Sequence, residues 1–348
     1  MELLRQLVEM SGVPGREDRV RNLILKEMKP LVDEIRTDTL GNIIGLKKGK
    51  GGNGKTARKK IMLAAHMDEI GFVVSYIEDK GFLRIQPVGG FDPRALMAQR
   101  VTVMGKKDLP GVIGSKPIHI LTDEERKKTL EIKDYFIDLG LSKEEVTKLV
   151  KVGDPVTLYR KMEELGASVT CKTFDDRVGV YCMIEAMRKV KQSPADIYVV
   201  ATTQEEVGLR GAFAASSGIC PDVGIAVDVT LANDVPGASG PDYVSLLGGG
   251  ASISILNGSH ITNYKLLDRF EELAKKKKIK YQLDVLPRGG TDAGAMQRVP
   301  GGAAVITVSI PCRYVHTTVE MVHKEDIKAT TALIAAYLND PGAMKYEL

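Results

Sequence analysis

The chain has 348 residues, 43% hydrophobic and 27% charged, which suffices for a sizeable core in two domains or one large one. Its 49 Lys and Arg against 45 Asp and Glu leave +4, too balanced for a nucleic-acid partner, and 7 Phe with no Trp supply few stacking platforms. No apolar run reaches the ~18 residues of a membrane span, residues 1–5 carry charge where a signal peptide is apolar, and Cys171, Cys182, Cys220 and Cys312 form no CxxC, so the expectation is a cytoplasmic protein with reduced, mostly buried thiols.

Residues 3–29 place Leu4, Leu7, Val8, Val20, Leu23, Ile24 and Met28 at helical spacing, and Gly12-Val13-Pro14-Gly15 divides them into two short helices. A turn over 38–42 precedes a strand at 43–46. The Gly- and Lys-rich stretch 47–60 reads as an exposed loop, since it lacks the order of a phosphate-binding loop. Next comes 61–65, the first of four short apolar runs that read as buried parallel strands; the others are 197–201, 223–227 and 303–310. Between 70 and 160 the rhythm changes to short β-rich pieces at 72–77, 82–87, 100–104, 111–113 and 155–159, divided by Gly and Pro. Thr122-x-x-Glu125 and Ser142-x-x-Glu145 are capping boxes that open short helices there. Amphipathic helices are expected over 176–191, 264–277 and 324–338. Strands alternating with helices predict an α/β, doubly wound sheet. The segment 69–159 reads as a small β domain inserted between 1–68 and 160–348.

Polar residues follow each apolar run. The first ends in His66-Met67-Asp68, the second in Gln204-Glu205-Glu206, the third in Asp228, and the fourth leads to Arg313-Tyr314-Val315-His316. Ligands of open α/β sheets bind at the carboxyl ends of strands. Two imidazoles and several carboxylates gathered at one edge suit Zn²⁺ or another divalent metal, and without a cation the carboxylates would repel one another. Each signal alone has a plainer reading. His66 and His316 are equally compatible with packing, Glu205-Glu206 with a solvated pair, Asp228 with a turn, and Asp175-Asp176 with a helix N-terminus.

In their order and spacing, His66-Met67-Asp68, Phe174-Asp175-Asp176-Arg177, Gln204-Glu205-Glu206-Val207-Gly208, Asp228-Val229-Thr230 and Arg313-Tyr314-Val315-His316 resemble the signature blocks of the tetrahedral (TET-type) aminopeptidases, some of which carry endoglucanase labels. The resemblance spans essentially the whole chain and includes Gly289-Gly290-Thr291-Asp292. It implies a phosphorylase/hydrolase-like catalytic domain with an inserted, barrel-like dimerisation domain. It also implies two divalent ions, Zn²⁺ or Co²⁺, bridged by Asp175, one completed by His66 and Asp228 and the other by Glu206 and His316. Glu205 is then the general base, Asp68 backs His66, and the Asp175–Asp176 peptide is cis. Substrates would be oligopeptides with a free N-terminus, and dimers would assemble into a hollow tetrahedral dodecamer.

Competing readings are an N-acyl amino acid deacylase or carboxypeptidase-type amidohydrolase, a glycosidase, and a non-enzymatic shell. The first needs a cation for the substrate carboxylate, and Arg94, Arg177, Arg210, Arg288 and Arg313 are candidates. The lack of Trp argues against a sugar cleft, and no ligand position is lost, as a shell protein would allow. Two roles stay open. Arg288 either favours an acidic N-terminal residue or is structural, and His119 in the charged stretch 116–133 either approaches the site or belongs to a loop.

Overall fold

The computed structural model describes residues 1–50 and 57–348, so residues 51–56 of the expected 47–60 loop lie outside the described residues. Among the described residues, eleven strands form one mixed sheet and six close a separate barrel. The four apolar runs are adjacent and parallel at the centre of the sheet, in the order Asp196–Thr202, Lys60–His66, Val223–Leu231, Ala304–Arg313. Their carboxyl ends therefore share one edge. Thr202 lies beside His66, and Asp228 beside Ser309.

These strands are largely apolar because helices cover both faces. Ile61, Leu63 and Ala65 pack into one layer with the helices Phe174–Arg188 and Lys324–Asn339. Met62 and Ala64 point the other way, against the helices Arg210–Ile219 and Ala293–Gln297. The strands next to this group on either side of it include antiparallel ones. Ile43–Lys47 pairs with Asp196–Thr202, and Ala251–Leu256 with Ala304–Arg313. The sequence pattern did not show Ala251–Leu256, nor Glu34–Thr37, Ser168–Cys171, Tyr281–Val285 and Glu320–His323. Three of these five are only four residues long.

The expected helices form with small shifts. The first two are Glu2–Glu9 and Asp18–Met28, and Tyr264–Lys277 opens on Asn263, whose Oδ1 accepts from the Leu266 amide at 3.1 Å. The helix expected from Asp176 begins at Phe174, after a left-handed Thr173. Asp175 and Asp176 have non-helical torsions, and the peptide between them is cis.

The barrel strands are Gly71–Ile77, Leu83–Val88, Arg100–Met104, Asp108–Gly114, Phe136–Asp138 and Pro155–Leu158. Phe72, Val74, Leu83, Val103, Ile137 and Val156 fill it. Both capping boxes form, at Thr122 and Ser142. Cys171, Cys182 and Cys312 are buried, Cys220 is exposed, and all four are unpaired. No described helix is long and apolar enough to cross a membrane.

Candidate active site

All five residues singled out as ligands meet at the shared edge. The ligand atoms of His66, Asp175 and Asp228 lie within 4.8 Å of one another, and so do those of Asp175, Glu206 and His316. Asp175 belongs to both groups. Its Oδ1 is 3.0 Å from His66 Nε2, and its Oδ2 is 3.2 Å from His316 Nε2. His316 Nε2 is also 3.4 Å from Glu206 Oε1. Glu205 stands outside both groups, with Oε2 4.0 Å from His66 Nε2.

Main-chain geometry places these side chains. His66 is the last residue of its strand and is 2% exposed. In the tautomer that leaves Nε2 bare, its Nδ1–H donates to the Asp68 carbonyl oxygen at 3.2 Å, which orients the ring. The Asp68 carboxylate has a further task that sequence reasoning did not assign. It accepts the main-chain N–H of Glu205 at 3.0 Å and of Glu206 at 3.1 Å, fixing the turn that follows the second strand.

Several buried carboxylates went unassigned in the sequence. Asp176 accepts the His66 amide at 3.1 Å and the Gly179 amide at 3.1 Å. Glu69 accepts from Gly12 N–H at 2.9 Å, from Thr173 Oγ1–H at 2.9 Å and from Lys172 Nζ. Glu320 accepts the amides of Asp175, at 3.0 Å, and His316, at 2.9 Å. Asp292 accepts from Thr202 Oγ1–H at 2.5 Å. Glu69 sits one residue after the His66-Met67-Asp68 block and Asp292 within Gly-Gly-Thr-Asp, so position could have flagged both. Glu320 bonds main-chain amides, a task that leaves no motif.

The electrostatics record crowding of like charge. Burial, then repulsion from Asp228 and Glu206, raises the Glu205 carboxyl well above its usual range despite His66. Burial and the Asp175 charge raise Asp228 in the same way. Burial alone would raise Asp175, but its bonds to His316 and His66 hold it well below the carboxylate range. Burial, with added repulsion from Asp175, pushes Glu320 up to about 8, against the pull of its two amide bonds. Desolvation likewise carries Glu17, near Asp68, to about 7. A cation among these groups would offset the repulsion. Glu206 Oε1 is buried with no hydrogen-bond partner, an acceptor left over for such an ion. The donor set of imidazoles and carboxylates fits a divalent first-row metal.

A cavity of about 540 Å³ opens over the cluster, walled by Leu209, Leu231, Leu286 and Val315. Arg288 is the one Lys or Arg among its described lining residues. Gly289 and Gly290 follow it, and Gly290 packs where a Cβ would meet Ser259 at 2.9 Å, so the adjoining loop Asn257-Gly258-Ser259 braces this wall. The other arginines considered are engaged or elsewhere. Arg313 pairs with Asp234 at 2.8 Å, Arg94 with Asp92 at 2.6 Å, Arg177 is fully buried, and Arg210 does not line the cavity. His119 is exposed and is not among the cavity-lining residues either.

Sheet, barrel and polar cluster define a mixed α/β protein with a candidate divalent-metal centre at the sheet edge. Residues 41–333 match the M42 glutamyl aminopeptidase family. A lysyl aminopeptidase of Pyrococcus furiosus is 36% identical over 99% of this chain and 98% of its own length. Among solved structures, an aminopeptidase of the archaeon Desulfurococcus kamchatkensis superposes with a TM-score of 0.93 at 42% identity, over 97% of this chain and 94% of that one. The TET1 peptidase of Pyrococcus horikoshii, described as assembling into a tetrahedron or a large octahedral shell, superposes with a TM-score of 0.85 at 33% identity, over 97% and 98% of the two chains. The chain belongs to the M42 family and is a peptidase, an enzyme that hydrolyses peptide bonds.

Proposed function

We propose that this protein is a two-metal aminopeptidase that removes N-terminal residues from oligopeptides. The observation that carries the reading is the sharing of Asp175 between two ligand groups, with a carboxylate, Glu205, beside them and in neither. His66, Asp175 and Asp228 would hold one divalent ion, and Asp175, Glu206 and His316 the other. The chemistry supplied by such a pair, Zn²⁺ or Co²⁺, is Lewis acidity toward a water and toward the scissile carbonyl.

The chain's own residues do the rest. Glu205 takes a proton from the attacking water and returns it to the leaving amine, and its raised pKa suits that exchange. Asp68 is a positioning residue that holds the Glu205 and Glu206 amides and orients His66. The substrate's α-ammonium is drawn to the surplus carboxylates, which favours a free N-terminus. Leu209, Leu231 and Leu286 exclude water from the bound side chain, and Arg288 supplies the positive charge on that wall, favouring acidic N-terminal residues.

We assign 1–68 with 160–348 to the catalytic domain and 69–159 to a dimerisation domain. Dimers then build a larger homo-oligomer, a tetrahedral dodecamer, a reading supported by the likeness to the Pyrococcus horikoshii assembly.

The test is hydrolysis of aminoacyl-p-nitroanilides with and without EDTA, followed by addition of Zn²⁺ or Co²⁺. The expected result is cleavage of free-amine substrates that the chelator abolishes and metal restores, with N-acetylated analogues inert. No nitroaniline release from any substrate with metal restored would contradict this reading and favour the deacylase one, since a deacylase leaves the anilide bond intact.

A further inference from the structure

Asp68 and Glu320, like Asp176, are buried carboxylates outside both ligand groups that clamp main-chain amides. Asp68 holds the neighbouring residues Glu205 and Glu206. Glu320 spans two separate chain segments. Its Oε2 accepts the N–H of Asp175 at 3.0 Å, and its Oε1 accepts the N–H of His316 at 2.9 Å. It is 2% exposed and opens the strand Glu320–His323, opposite Cys171 of the strand that leads into Asp175. His316 has φ +65°, and Tyr314 two residues before it has φ +60°. The chain therefore approaches the site through a left-handed turn, with the His316 amide aimed inward at Glu320 and the imidazole at Asp175.

The dependence on Glu320 is unequal between the two groups. Asp175 has other restraints. Thr173 is bonded to Glu69 at 2.9 Å, and Asp176 to the His66 amide at 3.1 Å, so the segment is pinned on both sides of it. For His316, the clamp is the one bond among the described residues that ties its main chain to the wall carrying Asp175. No hydrogen bond or ion pair joins His66 or Asp228 to Glu320.

We propose that Glu320 is a positioning residue that fixes the spacing of Asp175 and His316, and thereby sets the affinity of the Asp175–Glu206–His316 position selectively over the His66–Asp175–Asp228 position. This rests on the two-ion reading above. A neutral Gln at 320 offers one oxygen and one NH₂, so it retains one amide bond and turns a donor toward the other amide. Residues that orient ligands in this way typically contribute about 10- to 100-fold in metal affinity.

The experiment is calorimetric titration of Zn²⁺ into the chelator-treated full-length chain, for the parent, E320Q, E320D and D326N. Asp326 is the control. It also clamps two amides, those of Gly248 and Gly250 at 2.7 Å each, away from the ligand groups. The parent should show two binding events. E320Q should keep one within about threefold of the parent and weaken the other by about 10- to 100-fold. E320D, which keeps the charge but reaches one amide at a time, should fall between. D326N should lower thermal stability and leave both affinities unchanged. Equal weakening of both events in E320Q and E320D, no weakening in either, or selective loss of one ion in D326N would overturn the assignment. A parent chain that binds no divalent ion would instead overturn the functional reading.

Discussion

Replacing Glu205 by Gln separates chemistry from metal binding. The side chain keeps its size, and its main-chain amide remains held by Asp68 at 3.0 Å, so the turn that carries it is undisturbed. Neither ligand group includes Glu205, so both ion positions should persist. What is lost is the group proposed to accept the water proton. A positioned general base contributes about 10²- to 10⁴-fold, equivalent to about 3–5 kcal/mol of transition-state stabilisation at 1.36 kcal/mol per tenfold. The assay is kcat for an aminoacyl-p-nitroanilide at saturating Zn²⁺, with metal content measured on the same sample. A fall of that size in kcat with unchanged stoichiometry is the expected result. Activity within tenfold of the parent with both ions bound, or activity lost with the metal and restored by adding it, would refute Glu205 as the base.

Three further outcomes follow from the structure. His260 is 2% exposed and held by Asn257, and burial lowers its pKa from 6.5 to about 4. The unfolded chain therefore takes up this proton first as pH falls, so stability present above pH 6.5 should decline toward pH 4. H260N should flatten that decline by up to about 3 kcal/mol in urea titrations compared at pH 7 and 4.5; equal pH dependence in the two proteins would contradict it. Phe270 is fully buried and stacks on Tyr337 at 4.5 Å between centroids, so Phe270→Ala should cost about 3–5 kcal/mol in the same assay while KM stays unchanged. R288A should lower kcat/KM for glutamyl-p-nitroanilide at least tenfold more than for the leucyl substrate, and an equal effect on both would remove Arg288 from side-chain selection.

The central sheet was legible because its four strands are covered on both faces. Burial on both sides forces runs such as 61–65 and 223–227 to be apolar throughout, and their polar ends then stand out as an edge. That contrast also located His66, Glu205, Glu206, Asp228 and His316. Strands such as Glu34–Thr37, mostly exposed, and Glu320–His323 are too short for a period to register. The helix expected from Asp176 was legible to within a residue, because Asp175 and Asp176 have torsions outside the helical range and the regular helix runs on from just beyond them. The supporting carboxylates were the least legible part. Asp176 and Glu320 act on main-chain N–H groups, which every residue but proline carries, so no partner residue type reveals them. Asp68 was placed behind His66, but its clamp on Glu205 and Glu206 became visible only in three dimensions.

In the proposed site one side chain, Asp175, serves both ion positions. Metal content per chain after dialysis against dilute Zn²⁺, measured by elemental analysis on the parent, H316A and D175A, tests this most directly. The expected result is two ions in the parent, one in H316A, and fewer than one in D175A. Two ions in H316A, or a single ion in the parent that D175A retains, would contradict it.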